Sequence, residues 1–118
     1  MSSARVSHGS FDDLEQDEPF PGVLRRSFEA EGATVTRYDF EPGASFPIHH
    51  HPQEQITLVT RGEIEFTADG AAERMAAGDW SVVRGGVEHG IRAGSDGASI
   101  VATVVPRRDR ADPYTLAR

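Results

Sequence analysis

The histidines of this chain are concentrated in one short stretch. His49, His50 and His51 are consecutive and lie between Pro47 and Pro52, while the whole chain contains five histidines. Side chains on a β-strand alternate between its two faces, so His49 and His51 point to the same side. Neutral imidazole is the commonest protein ligand for a transition metal. Two imidazoles on one face therefore predict a metal site.

Two more residues extend this site. Gln55 follows His51 by four residues and shares its strand parity, whereas Glu54, a more common ligand type, has the opposite parity. His89 is the single later histidine, and we expect it to complete the set. The remaining histidine, His8, lies in a polar N-terminal stretch and receives no role.

The composition restricts the class of protein. A chain of 118 residues fits one domain, and without cysteine it has no disulfide and no thiolate chemistry. Its net charge of -7 argues against nucleic acid as a partner. No apolar run approaches the roughly 20 residues needed to cross a membrane, and no segment has the pattern of a signal peptide. We therefore expect a soluble, cytoplasmic protein that binds a small molecule.

Short β-type segments separated by turn residues make up most of the chain. Residues 1–18 are polar and acidic and are predicted to be a disordered or loosely draped arm, and residues 19–118 a single domain. About nine short strands follow one another at a spacing of roughly ten residues, which is typical of a β-sandwich or barrel. Outside the histidine stretch, they are predicted at 23–29, 34–40, 56–60, 63–67, 71–77, 80–83, 87–93 and 98–105. The predicted fold class is all-β.

The motif residues resemble those of the cupin superfamily. The first cupin motif is matched by Gly43, His49, His51, Gln55 and Gly62, with Gln55 where the family has glutamate. The second motif is matched by Gly78, Gly86 and His89. In that motif Arg84 replaces a proline and Ala93 replaces an asparagine. The resemblance implies a double-stranded β-helix, also called a jelly-roll barrel.

The resemblance also implies one divalent transition metal ion. Carried over by position, its ligands are His49, His51, Gln55 and His89, and the expected ion is Mn, Fe, Ni or Zn. The alternative is a metal-free pocket in which the histidines are only hydrogen-bonded.

The neutral side chain of Gln55 bears on the type of reaction. Because Gln55 is neutral, the formal charge of a bound M²⁺ stays at +2 instead of falling to +1, which favours Lewis-acid chemistry over oxidation of the metal. We therefore expect a lyase or isomerase acting on a small oxygenated molecule. The alternatives are a metal-dependent dioxygenase and a non-catalytic cupin that binds a small molecule.

Tyr38 and Arg108 are the candidates for catalytic roles outside the ligand set. Tyr38 lies on a strand expected to line the barrel, where its phenol could donate a proton or simply pack in the core. Pro106 and Arg108 resemble the Pro-x-Arg ending of small cupins that act on unsaturated uronates, and in that role Arg108 would bind a carboxylate. Those enzymes carry an aspartate and a phenylalanine where this chain has Ala102 and Val104, which weighs against that activity. The alternative is a solvated tail formed by Arg107, Arg108 and Arg110.

An apolar row predicts how the chain assembles. With the two histidines facing inward, strand parity places Phe46, Ile48, Ile56 and Leu58 on the outside. An exposed apolar row usually marks a partner surface, so we expect a two-fold homodimer. The alternative is that the N-terminal strands of the same chain cover this row.

Overall fold

The computed structural model describes residues 5–108 and 113–117. Within them the chain forms one short 3-10 helix, Phe11–Asp13, and nine β-strands. The strands are β1 Asp17–Phe20, β2 Val23–Glu29, β3 Thr34–Phe40, β4 Ser45–His50, β5 Glu54–Ala68, β6 Ala71–Ala76, β7 Trp80–Val83, β8 His89–Val105 and β9 Thr115–Leu116. The described part contains no helix long and apolar enough to cross a membrane.

Two long strands, β5 and β8, run antiparallel to each other and hold the fold together. The first half of β5 pairs with the second half of β8, and this pair is flanked by β7 on one side and by β3, β2 and β1 on the other. The remaining halves of β5 and β8 also pair with each other, flanked by β6 on one side and by β4 and β9 on the other. The sheet therefore curls into two layers that share one core. This confirms the all-β, jelly-roll prediction.

Each of these two long strands was predicted from the sequence as two shorter strands. Segments 56–60 and 63–67, predicted as separate strands, are one strand, β5, and segments 87–93 and 98–105 are likewise one strand, β8. Arg61-Gly62 was expected to be a turn, but it lies at an irregularity in the β5–β8 register. A bulge bends a strand without ending it, which lets one strand take part in both layers.

The second half of the predicted acidic arm also differs from the expectation. Residues 11–13 form the 3-10 helix, and strand β1 begins at Asp17. Arginines of the neighbouring strands hold these segments: Arg25 forms a two-pronged ion pair with Asp17, and Arg37 donates to Asp12 at 3.0 Å. Arg26 also donates to the main-chain oxygens of residues 11 and 12. Asp12 and Asp17 thus attach this segment to the arginines of β2 and β3. Residues 1–4 lie outside the described part.

Candidate metal centre

Three of the four predicted ligands converge inside the barrel. One ring nitrogen from each of His49, His51 and His89 lies within 4.8 Å of the others, and all three side chains are at most 6% exposed. The fourth residue, Gln55, is 5% exposed. Its Oε1 lies 3.0 Å from Nε2 of His51 and 3.2 Å from Nε2 of His89. The structure thus brings all four predicted residues to one point.

A bulge in β4 places His49 in this cluster. Phe46 pairs with Ile91 and His49 pairs with His89, so four residues of β4 span the same length as three residues of β8. Gly90 lies opposite the bulge, where a Cβ would come within 3.1 Å of the main-chain nitrogen of Ile48 and of the main-chain oxygen of Phe46. Phe46 consequently faces inward together with His49 and is only 5% exposed. The prediction that Phe46 belongs to an outer apolar row was wrong, since strict alternation fails across a bulge.

A glycine-rich loop brings the distant residue His89 to His51. The main-chain N–H of Gly86 donates to the carbonyl oxygen of His51 at 2.8 Å. At Gly85 a side chain is excluded, because a Cβ would overlap the carbonyl oxygen of Pro52. These contacts join the loop before β8 to the loop after β4. The two predicted motifs are therefore in direct contact through their main chains.

The three imidazole rings are oriented by main-chain carbonyl groups. Nδ1 of His49 lies 2.8 Å from the oxygen of Pro47, Nδ1 of His51 lies 3.1 Å from that of Gln53, and Nδ1 of His89 lies 2.9 Å from that of Val87. A carbonyl oxygen only accepts, so each Nδ1 carries the hydrogen. The Nε2 lone pair of each neutral ring is then free to bind a cation. Metal-binding histidines are typically held in this way.

The protonation states also fit a cation. Burial lowers the pKa of His49 to about 3 and also lowers the pKa of His51 and of His89, so the rings are neutral near pH 7. A neutral ring whose Nδ1 donates to a carbonyl has no second hydrogen for the oxygen of Gln55. Nitrogen and oxygen lone pairs therefore face each other across about 3 Å. Two ligand atoms that each lie roughly 2.0–2.2 Å from one ion, at an angle of about 90° to each other, are separated by this same distance.

The orientation of the Gln55 amide distinguishes a metal-bound from a metal-free site. In the structure, Nε2 of Gln55 donates to Oγ1 of Thr57 at 3.0 Å, which turns the amide oxygen toward the histidines. The reverse orientation would give the histidine lone pairs an N–H donor and would let Thr57 donate to the amide oxygen. Such an arrangement needs no cation. The observed orientation is the one that suits a metal.

The cavity next to the histidines is small and largely aromatic. Its volume is about 10 Å³. Besides His49, His51 and Gln55, its lining consists of Tyr38, Phe40, Phe46, Ile91, Arg108 and Tyr114. Both predicted catalytic candidates are therefore in contact with this cavity, and Nη2 of Arg108 donates to the phenol oxygen of Tyr38 at 3.3 Å. Tyr38 is also a core residue, 6% exposed. Arg110, the other arginine of the predicted solvated tail beside Arg107, lies outside the described residues.

Sequence reasoning missed two residues of the site. Thr57, which holds the amide of Gln55, lies two positions along the same strand, and the period-2 rule gives it the same face. Tyr114 comes from the C-terminal segment that was treated as a polar tail, and its ring lies 5.4 Å from the ring of His49. No spacing rule links residue 114 to the histidines. It reaches them because β9 pairs with β4.

The fold and this site define a class: small β-barrel proteins with a buried three-histidine cluster. The cupin domain family matches residues 36–106, and the chain belongs to that family. No curated protein matches the chain in sequence.

Solved structures agree with the assignment to this family. An RmlC-like cupin from Shewanella frigidimarina is 25% identical over 93% of this chain and 97% of its own, with a TM-score of 0.80. KdgF from Halomonas sp. is 25% identical over 89% of this chain and 100% of its own, with a TM-score of 0.78. An oxalate decarboxylase variant from Bacillus subtilis has a TM-score of 0.83 at 20% identity. The match to it covers 96% of this chain but only 33% of the decarboxylase.

Proposed function

We propose that this cupin is a divalent-metal-dependent enzyme of the lyase or isomerase type that acts on a small oxygenated substrate. The observation that carries the proposal is the convergence of three neutral imidazoles and one amide oxygen on a single point. The proposed ligands are His49, His51, Gln55 and His89. When bound, a divalent ion would act as a Lewis acid on a substrate oxygen and lower the pKa of a coordinated water or enol.

The residues around the cluster suggest how the substrate is held. Arg108 is half-buried at the cavity and donates to the phenol oxygen of Tyr38. Since that oxygen already accepts from Arg108, the phenol hydrogen remains available to a substrate atom. The guanidinium of Arg108 can also bind a carboxylate, for which its planar donor arrangement is well suited. We therefore assign anion binding to Arg108 and proton donation to Tyr38.

The neutral amide of Gln55 favours this chemistry over a dioxygenase. With three imidazoles and one amide, the formal charge of a bound M²⁺ stays at +2, which strengthens its pull on a substrate oxygen and makes its oxidation harder. A dioxygenase nevertheless remains the second candidate, because the same four donors suit a redox metal. A non-catalytic binding protein is the third.

Mn(II) is the first ion to test. Mn(II) centres have been characterised in Bacillus subtilis oxalate decarboxylase, which shares the fold with this chain. That likeness concerns the fold, so Fe(II), Ni(II) and Zn(II) belong in the same experiment. Each ion is loaded into the metal-free protein, and oxygen uptake is measured beside lyase and isomerase turnover of small keto, enol and sugar acids. Metal-dependent turnover without oxygen uptake is expected. Stoichiometric oxygen uptake would favour the dioxygenase, and the absence of any turnover would favour a binding protein.

We further propose that the chain forms a homodimer, through an apolar surface revised from the sequence prediction. Leu58 on β5 is 45% exposed, Trp80 and Val82 on the neighbouring β7 are 68% and 51% exposed, and Ile56 is half-buried. In the other half of the same strand β5, the outward positions are the charged residues Glu63 and Glu65. Within the described chain β7 pairs with β5 alone, so its other edge is available for antiparallel pairing with a second copy around a two-fold axis.

Light scattering at micromolar concentration tests the dimer. The wild type is expected at twice the chain mass of 12.8 kDa, because burial of the apolar residues drives association. Trp80→Lys should shift the protein to the monomer mass. Glu65→Lys, on the charged half of β5, serves as the control and should leave the mass unchanged. A measured wild-type mass of 12.8 kDa would contradict the proposal.

A further inference from the structure

The walls of the metal cavity are not held equally firmly. Tyr38, Gln55 and Ile91 come from strands that pair with a long neighbour on both sides. Tyr114 instead precedes β9, a strand of two residues whose one described partner is β4. The hydrogen bond from the N–H of Ala117 to the oxygen of Ile48, 2.8 Å long, continues the same pairing. Arg108 also lies on no strand, and its N–H donates to Oγ1 of Thr34. The wall formed by Arg108 and Tyr114 is therefore the one with the least strand pairing.

The ring of Tyr114 covers the proposed ligand His49. Its centroid lies 5.4 Å from the His49 ring and 5.4 Å from the Phe46 ring, and in both cases the rings meet edge to face. It also lies 6.4 Å from the ring of Phe20. Edge-to-face aromatic contacts are individually weak, so they hold the ring in place but allow it to be displaced.

The cavity that remains under this ring is too small for a substrate. Its volume of about 10 Å³ corresponds to one water molecule or one ion. A small organic molecule can therefore reach the histidines only if one wall moves. The walls formed by β3, β5 and β8 are fixed by pairing on both sides, whereas Arg108 and Tyr114 are not. Of these two, Tyr114 is the residue whose ring packs directly on the ring of His49.

We propose that Tyr114 closes the metal cavity and selects by size the molecules that reach it. When its ring moves away, the space that opens is bordered by the rings of Phe46 and Phe20 and lies beside the cation of Arg108. Such a space fits a small carboxylate. The identity of the ligand class rests on the proposed metal function, but the closure is a property of the chain alone.

Acylation of histidines tests the closure in the metal-free protein. Diethyl pyrocarbonate modifies accessible neutral imidazoles, and digestion followed by fragmentation mass spectrometry locates the modification. In the wild type, His49 and His51 should react slowly compared with the exposed His8, which serves as the internal reference. In Tyr114→Ala the relative rate at His49 and His51 should rise by about tenfold or more.

Two variants separate closure from general loosening. Tyr114→Phe keeps the ring and should react like the wild type. Leu116→Ala removes an exposed side chain from the same two-residue strand and should also leave the rate unchanged. Circular dichroism confirms that each variant is folded. An unchanged rate in Tyr114→Ala, or an increase in Leu116→Ala equal to that in Tyr114→Ala, would overturn the proposal.

The Mn(II)-loaded protein tests selection by size. Formate and benzoate are the two probes, and binding is followed by the change in water-proton relaxation. The wild type should bind formate at least tenfold more tightly than benzoate, and Tyr114→Ala should abolish that preference. An unchanged preference would refute the size selection. A wild type that takes up no Mn(II) would instead count against the proposed function, while the acylation result would still decide the closure.

Discussion

The cavity at the three-histidine cluster has two unlike sides. On the donor side, His49, His51 and His89 are buried on or next to paired strands, and each Nδ1 is fixed by a main-chain carbonyl group. On the mouth side, Arg108 and Tyr114 are half-buried and come from the C-terminal segment. The difference suggests that the donor side holds the cation and the mouth side selects the substrate. Substitutions should therefore separate the two functions.

The largest expected effect is on the donor side. His51→Ala removes one imidazole from a site of four donors, and we expect metal affinity to fall by more than about 100-fold. Replacing even a residue that only supports a metal ligand typically lowers metal affinity by 10–100-fold. The barrel should stay folded, because its core is built from the apolar side chains of both layers. Metal content after dialysis and circular dichroism measure the two properties.

The adjacent residue provides the control for this change. His50 is half-buried, pairs with Thr115 and is not part of the three-histidine cluster. His50→Ala should keep full metal content. Equal metal loss in both variants, or full retention in His51→Ala, would refute the assignment of the donor side.

A smaller and different effect is expected on the mouth side. Arg108→Gln removes the cation next to Tyr38 without touching a donor, so metal content should remain unchanged. Binding of carboxylate inhibitors should weaken by roughly 10- to 100-fold, because a hydrogen bond to a charged group contributes about 1.5–3 kcal/mol. Isothermal titration with formate on the metal-loaded protein measures this.

The neighbouring arginine is the matched control. Arg107 is about half exposed at its side chain and faces Glu29 at 3.7 Å, away from the cavity. Arg107→Gln should leave formate binding within about twofold of the wild type. If the two substitutions weakened formate binding equally, binding would depend on the overall positive charge of the C-terminal tail and not on a specific site at Arg108.

The smallest expected effect alters the donor side without removing a donor. Gln55→Glu lowers the formal site charge from +2 to +1, so metal should bind more tightly while Lewis-acid turnover slows by about tenfold. Competition with a chelator and steady-state turnover measure these two changes. Faster lyase or isomerase turnover in this variant would contradict the electrostatic argument and favour the redox alternative.

The positions of the residues on the donor side could be predicted from the sequence better than those on the mouth side, for a physical reason. His49, His51 and Gln55 lie within seven residues, where strand parity fixes which side chains share a face, and the cupin motif adds His89. Phe46 was misplaced because parity fails at the β4 bulge. Tyr114 was missed because its position depends on pairing between strands far apart in the chain. Tyr38 and Arg108 were predicted as separate candidates, and only the structure shows that they contact each other.

The central claim is that four donors bind one cation, and a crystal structure with anomalous diffraction at the metal edge tests it most directly. We predict one anomalous peak per chain, roughly 2.0–2.2 Å from Nε2 of each of the three clustered histidines, with the oxygen of Gln55 facing the peak. The contrary result would be the absence of a peak after growth with Mn(II), together with a Gln55 amide reversed so that its nitrogen faces His51 and His89.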